Sequence, residues 1–349
     1  MSSVGDVYAC GSNLFGELGL DDTKRRSVYP IKINNLPPIK SAAAGNNFSL
    51  FLDFEGNVWG AGLSDYGQLG RVLREGGIIK PEKLALPIAI QSVAASHNFF
   101  SIFLDINGNV WACGSADYGQ LGLSTYDVKH YLPTMISSLP AITDISAGYY
   151  HTLFVDEEMN VWATGYNIYG QLGLNENDEN IYSPQKLNLP VKIKKISAGS
   201  YHSLLLDTND QVWACGHNGY HQLALKHNSH VKTPQLCEGL PPIQLICGGH
   251  YLSTFVDVAG NVWKSGGDRK NPPELQEGLE GVLYAECTSH SIFLDSTGNV
   301  WVAGSNSDGQ LGLAINFFQP EFPLQKLEES LPDLAWEERF QKPKSARKK

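Results

Sequence analysis

The chain has 349 residues, with 42% hydrophobic and 18% charged residues, a globular composition rather than a disordered one. No run of 18 apolar residues occurs, which excludes a membrane-spanning helix, and the N-terminal Met-Ser-Ser-Val-Gly-Asp lacks the basic and apolar segments of a secretory signal. The formal net charge is −10, yet five of the 26 basic residues fall in the last eight positions, which leaves 21 basic against 36 acidic residues elsewhere. A body this acidic repels phosphate backbones, so nucleic-acid binding by the folded part is not expected; the basic tail is left to meet an anionic partner.

The chain opens on Val7-Tyr8-Ala9-Cys10-Gly11, and the pattern Val-aromatic-x-x-Gly then returns six times, at Val58-Trp59, Val110-Trp111, Val161-Trp162, Val212-Trp213, Val262-Trp263 and Val300-Trp301. The closing glycines are Gly11, Gly62, Gly114, Gly165, Gly216, Gly266 and Gly304, spaced by 51, 52, 51, 51, 50 and 38 residues. From the second copy on, an apolar run precedes each Val-Trp and ends in Asp and a turn, as in Phe51-Leu52-Asp53-Phe54-Glu55-Gly56-Asn57. Gly-Asn between two β-rich runs is a hairpin signal, with glycine at positive φ. Met159 and Asp210 stand in the glycine slot of two copies, so less ideal turns are expected there.

After Val-Trp comes Gly-x4-Gly-Gln-Leu-Gly, as at Gly62 to Gly70 and Gly114 to Gly122, and then a proline at positions 30, 81, 133, 184, 234 and 323. The first copy has Glu17 for Gln. Repeat six is shortened near 266–273 and lacks the Gln-Leu element. A Leu-Pro pair then starts the next unit, as at Leu36-Pro37. Each unit reads as about four short strands with no sustained helical period. Such a sheet cannot bury both faces alone, and seven arranged radially can, which predicts an all-β, seven-bladed β-propeller. The repeated tryptophans are read as packing between blades. One propeller is expected over 1–340, followed by a basic tail at 341–349. Residues 331–340 are expected to pair with or cover the N-terminal unit and close the ring, with a short capping helix over Glu328 to Phe340 as the alternative.

Two sets of aromatics recur. Just before the second strand of successive units stand Asn47, Phe99, Tyr150, Tyr201, Tyr251 and Ser289, and these positions point to one face of the ring. Exposed tyrosine is favoured at interfaces, so this set is the candidate partner-binding surface. The following slot holds His151, His202 and His290, with Phe48, Phe100 and Leu252 in other copies; histidine there is read first as a buried group bonded to backbone. Phe15, Tyr66, Tyr118, Tyr169 and Tyr220, ahead of the Gln-Leu turn, are read as packing residues.

Motifs for chemistry are missing: no phosphate loop, no Gly-x-Ser-x-Gly, no His-Glu-x-x-His. His217, His221, His227 and His230 cluster in sequence without helical spacing or nearby acids, so no metal is expected. The six cysteines form no Cys-x-x-Cys, and their spacing suits neither zinc nor a disulfide framework; they are read as free thiols in a reducing compartment. No cofactor and no catalytic residue is expected.

The combined pattern, Ala-Gly-x-x-His as at Ala147 to His151 and Ala198 to His202, apolar run, Asp-x-x-Gly-x-Val-Trp-x-x-Gly, Gly-Gln-Leu-Gly and Pro, resembles the regulator of chromosome condensation repeat family over about residues 4–327. The resemblance implies a seven-bladed propeller. A monomeric, intracellular protein of cytoplasm or nucleus is expected; an effector delivered without a signal peptide is the alternative. The resemblance also implies guanine-nucleotide exchange on a Ran-like small GTPase, which needs no nucleophile or acid. Residues at and before the His slot help form the family's GTPase-facing surface; here Tyr150, His151, Tyr201, His202, Tyr251 and His290 hold those positions. The competing reading is an interaction scaffold without exchange activity, in trafficking, ubiquitylation or host-directed action. It draws on the aromatic character of the ring and on repeat lengths too regular for an inserted wedge.

Overall fold

A computed structural model describes residues 5–20, 24–71, 77–175, 179–267, 273–313 and 321–327. Among these the chain is all β, without a helix. Residues 142–186 illustrate the unit: strands Ile142–Ala147, His151–Asp156, Val161–Gly165 and Ile181–Lys186 form an antiparallel meander in sequence order. The same four-stranded sheet recurs over 39–83, 90–135, 193–236, 243–275 and 282–326. The first strands of successive sheets touch one another, so they line the centre. The second strands, such as His151–Asp156 and Phe100–Asp105, are buried along their whole length, which explains their apolar runs.

Each core lies between two sheets. Leu204, Leu206 and Leu223 of one sheet meet Ile243, Phe255 and Trp263 of the next; Leu153, Leu172 and Leu187 meet Ile196, Leu205 and Trp213. The tryptophans thus pack between blades. Their indole N–H also has a fixed acceptor. Trp162 Nε1 donates to Asp156 Oδ2 at 3.0 Å, and five further copies repeat the bond at 2.9–3.1 Å. The same aspartate caps its hairpin, accepting the main-chain N–H of Glu158 and of Asn160. Burial would push these carboxyls up. Bonds from the indole, the Asn side chain and two main-chain N–H groups outweigh it and hold Asp53, Asp105, Asp156 and Asp257 below the ordinary range.

The recurring proline and glycine turn out to be partners. A Cβ on Gly122 would meet the Pro184 ring at 2.9 Å, and one on Gly173 the Pro234 ring at 2.9 Å. Each glycine lets the outer strand of the next sheet ride over the preceding turn. Gly312 of the last sheet meets Pro30 in the same way, at 3.0 Å. The first and last sheets are therefore neighbours.

The all-β propeller is present, and the seven-bladed expectation is met in part. Six four-stranded sheets are present, and the remaining sheet, Tyr8–Ser12 with Arg26–Lys32, has two strands among the described residues. Counting by sequence takes each Val-aromatic strand as a whole blade, and the first copy carries no preceding apolar hairpin of its own. The strand or helix expected over 328–340 lies outside the described residues.

Candidate functional site

In a four-stranded meander the first and third turns share one end. The two sets of aromatics sit on these turns, so both reach the same face of the ring. They meet pairwise across blade junctions, one pair stacked and the others edge-on or tilted. Tyr66 lies flat on Phe99, with centroids 5.0 Å apart and planes within 9°. Tyr118 meets Tyr150 at 4.8 Å, Tyr169 meets Tyr201 at 5.5 Å, and Tyr220 meets Tyr251 at 4.7 Å. Each turn aromatic thus supports the aromatic at the start of the next blade's second strand.

The rings join into one patch. Tyr149 touches Tyr150 at 4.7 Å and Tyr201 at 5.8 Å. Tyr166 bridges Tyr118, Tyr150 and Tyr201. His217 and His230 pack at 4.7 Å beside Tyr169, and His250 meets Tyr251 at 4.0 Å. Most of these rings are half-buried, and Tyr251 is 38% exposed. Asn47 and Phe99 occupy the same place on earlier blades, both half-buried with φ near 60°.

Burial disfavours charge on several rings of the patch, and the Asp117 carboxylate acts on Tyr150 from beside it. Burial, then neighbouring phenols, raises Tyr150, Tyr166 and Tyr201 above the ordinary tyrosine range. Burial lowers His217, His230 and His250, with His230 also acting on His217. Lys129 Nζ sits 4.3 Å above the Tyr66 ring at the edge of the patch, a cation–π contact. No group of His, Cys, Asp and Glu among the described residues has the geometry of a metal site.

His151 and His202 are not on the surface. Both are fully buried, so direct contact with a partner, as the family resemblance implies for them, does not fit their placement. Ser203 donates its hydroxyl to Gln171 O at 2.6 Å, so it accepts from His151 Nε2–H at 3.0 Å. Ser253 likewise donates to Gln222 O and accepts from His202 Nε2–H at 2.9 Å. Each histidine thus ties its blade to the next, directly beneath Tyr150 and Tyr201. Burial lowers His151 and His202 to about 3, so both are neutral. The glycine of Ala-Gly-x-x-His makes room for the ring: a Cβ on Gly148 would fall 2.4 Å from His151 Cε1. His290 is part-buried and lowered to about 4 by burial and by His97; its Nδ1 lies 3.1 Å from Thr288 Oγ1.

Sequence reasoning missed Tyr149, Tyr166, His217, His230 and His250 as members of the patch and assigned the turn aromatics to packing. The available signal was the parity of the turns, which puts both sets at one end.

The fold and its repeats place this chain in a defined class. Residues 6–272 match the RCC1-like domain and residues 288–310 the regulator of chromosome condensation (RCC1) repeat, and the chain belongs to this family. It is similar to the ultraviolet-B receptor UVR8 of Arabidopsis thaliana (28% identical, 76% of this chain and 61% of that one). It is equally similar to the regulator of chromosome condensation of Xenopus laevis (28%, 68% and 61%). Human HERC4, a probable E3 ubiquitin-protein ligase, matches at 30% over 75% of this chain and 25% of its own. The matches thus span about three fifths or less of these relatives. Among solved structures, Prp20p of Saccharomyces cerevisiae superposes with a TM-score of 0.84 at 22% identity, covering 95% of this chain and 87% of that one. Human WBSCR16 does so with a TM-score of 0.84 at 21%, covering 93% and 95%. Likeness at that identity speaks for the fold. No helix among the described residues is long and apolar enough to cross a membrane.

Proposed function

We propose that this propeller is a protein-binding regulator whose aromatic face docks a Ran-like small GTPase and accelerates release of its nucleotide. The observation that carries the reading is the continuous patch of half-exposed tyrosines and histidines around Tyr150, Tyr201 and Tyr251. Asn47 and Phe99 extend the surface, His290 lies at the same end, and His151 and His202 hold it from below. Rigid aromatic rings make large contact area at little entropic cost, as interface hot spots do. The relatives lend support: one is a regulator of chromosome condensation, and Prp20p has binding properties toward Gsp1p and histones.

Such exchange needs no reacting side chain. A face that binds the nucleotide-free GTPase more tightly than the loaded one lowers nucleotide affinity by the same factor. The decisive experiment follows fluorescent-GDP release from Ran and a panel of other small GTPases. Acceleration at micromolar protein is expected, and its absence across the panel leaves only the second reading. That reading is a scaffold without exchange activity, and the even 50–52-residue spacing of the first six repeats favours it, since no insertion is long enough to enter a nucleotide site. Under either reading, replacing Tyr150 and Tyr201 together by alanine should weaken the partner by about 2 kcal/mol or more in a titration. Unchanged affinity moves the site off this face. Residues 1–340 are proposed to form one ring, with 331–340 completing the seventh blade, in a monomer acting in cytoplasm or nucleus.

A further inference from the structure

Near the centre of the ring, the fifth position of three consecutive first strands reaches across to the next blade. Ser146 Oγ accepts the N–H of Ala198 at 2.9 Å, and Ser197 Oγ accepts that of Gly248 at 2.9 Å. At the following junction the slot holds Cys247, whose Sγ accepts the N–H of Cys287 at 2.9 Å. The receiving residue is Ala or Gly at the two earlier junctions and cysteine only at this one of the three. The two sulfurs are 2.9 Å apart, and the Cys287 thiol also lies 3.1 Å from Cys247 O. Repeat symmetry has thus set two free, buried thiols against each other on neighbouring sheets.

Among the described residues this junction shows no clasp of the kind used elsewhere. Ser49, Ser101, Thr152, Ser203 and Ser253 each donate a hydroxyl to the main-chain oxygen of Glu17, Gln68, Gln120, Gln171 or Gln222 in the preceding blade. Ser291 holds the equivalent place, but repeat six has no Gln-Leu element to receive it. Pro323 likewise has no Gly-Gln-Leu-Gly turn in repeat six to ride over.

We propose that Cys247 and Cys287 are an oxidation site, converted by a low-molecular-weight disulfide such as oxidised glutathione into a disulfide that staples these two blades together. The Cys247 thiolate attacks one sulfur of the reagent and expels a thiolate. The Cys287 thiolate then attacks Cys247 Sγ and expels the second. Two protons leave the protein, its two sulfurs lose two electrons, and the reagent is recovered as two thiols. At rest, the hydrogen bond with Cys287 and burial hold the Cys247 thiol up, so reaction proceeds through local opening of this junction. The bond closes a 40-residue separation and restricts the unfolded chain.

The test treats the full chain with oxidised glutathione at a temperature where the junction opens below global melting. Alkylation, non-reducing peptide mapping and intact mass follow. A linked peptide pair containing Cys247 and Cys287 is expected, with a mass loss of about 2 Da for the two thiol hydrogens. The melting temperature should rise and return on reduction. Cys247→Ser should fold normally, since serine makes the same interblade bond at two other junctions, and should show none of these changes. Six alkylatable cysteines after treatment, a persistent glutathione adduct, or a bond between other cysteines such as Cys215 and Cys237 would each overturn the proposal.

Discussion

The aspartate that ends each second strand has two jobs at once. In the sheet over 142–186, Asp156 accepts from the Trp162 indole, the Asn160 side chain and two main-chain N–H groups. Replacing it with alanine strands several donors at a buried site and should cost about 3 kcal/mol, measured by urea unfolding. His151 and His202 set a different pH dependence. Their folded pKa of about 3 lies below the ordinary value of about 6.5, so the unfolded chain binds protons first as pH falls. Stability is complete above about pH 6.5 and is lost as the pH drops toward 3. The lowered aspartates add a further loss below about pH 4, as they protonate. A His151→Phe, His202→Phe variant, with the residue found at Phe48 and Phe100, should show a flatter stability profile between pH 6.5 and 4. The slot's burial was legible in sequence because Phe and Leu fill it in sister repeats. The Ser203 and Ser253 partners were not, since they stand 52 and 51 residues away on another blade.

The hairpin, the turn and the strand keep their register even where sequence departs from the rule. Gly56, Gly108, Gly260 and Gly298 adopt φ of 83–85° in the second turn, as Gly-Asn demands. Met159 and Asp210 are held in the same left-handed region, at 61° and 63°, by the same ladder of bonds. A β-carbon there is strained, so Met159→Gly should stabilise the protein by about 1 kcal/mol, visible as a higher urea midpoint. Glu17 likewise does the work of glutamine: Oε2 accepts the N–H of Phe15, as Gln68 Oε1 does for Tyr66. The turn needs only an acceptor at that length. The pairing of each Gly-Gln-Leu-Gly with the next unit's proline escaped the sequence because nothing local links the two.

Ring closure is a property of the assembled sheets. The Gly312–Pro30 contact and the approach of Cys10 Sγ to Gln310 O at 3.6 Å bring the last sheet against the first. Among the described residues the strand Tyr8–Ser12 is paired on one edge only, with Arg26–Lys32. If 331–340 covers its other edge, deleting residues 330–349 should lower the melting temperature by several degrees in calorimetry; an unchanged value would refute that closure. The repeat period, the β class, the hairpin turns and the glycine positions were all present in the amino-acid order, because each rests on interactions within about 50 residues. The number of complete sheets, the serine partners of His151 and His202, the merging of two aromatic sets into one face and the meeting of Cys247 with Cys287 were decided by tertiary structure. Each of these depends on how one blade sits on the next, and residues of separate blades share no local spacing from which their contact could be read.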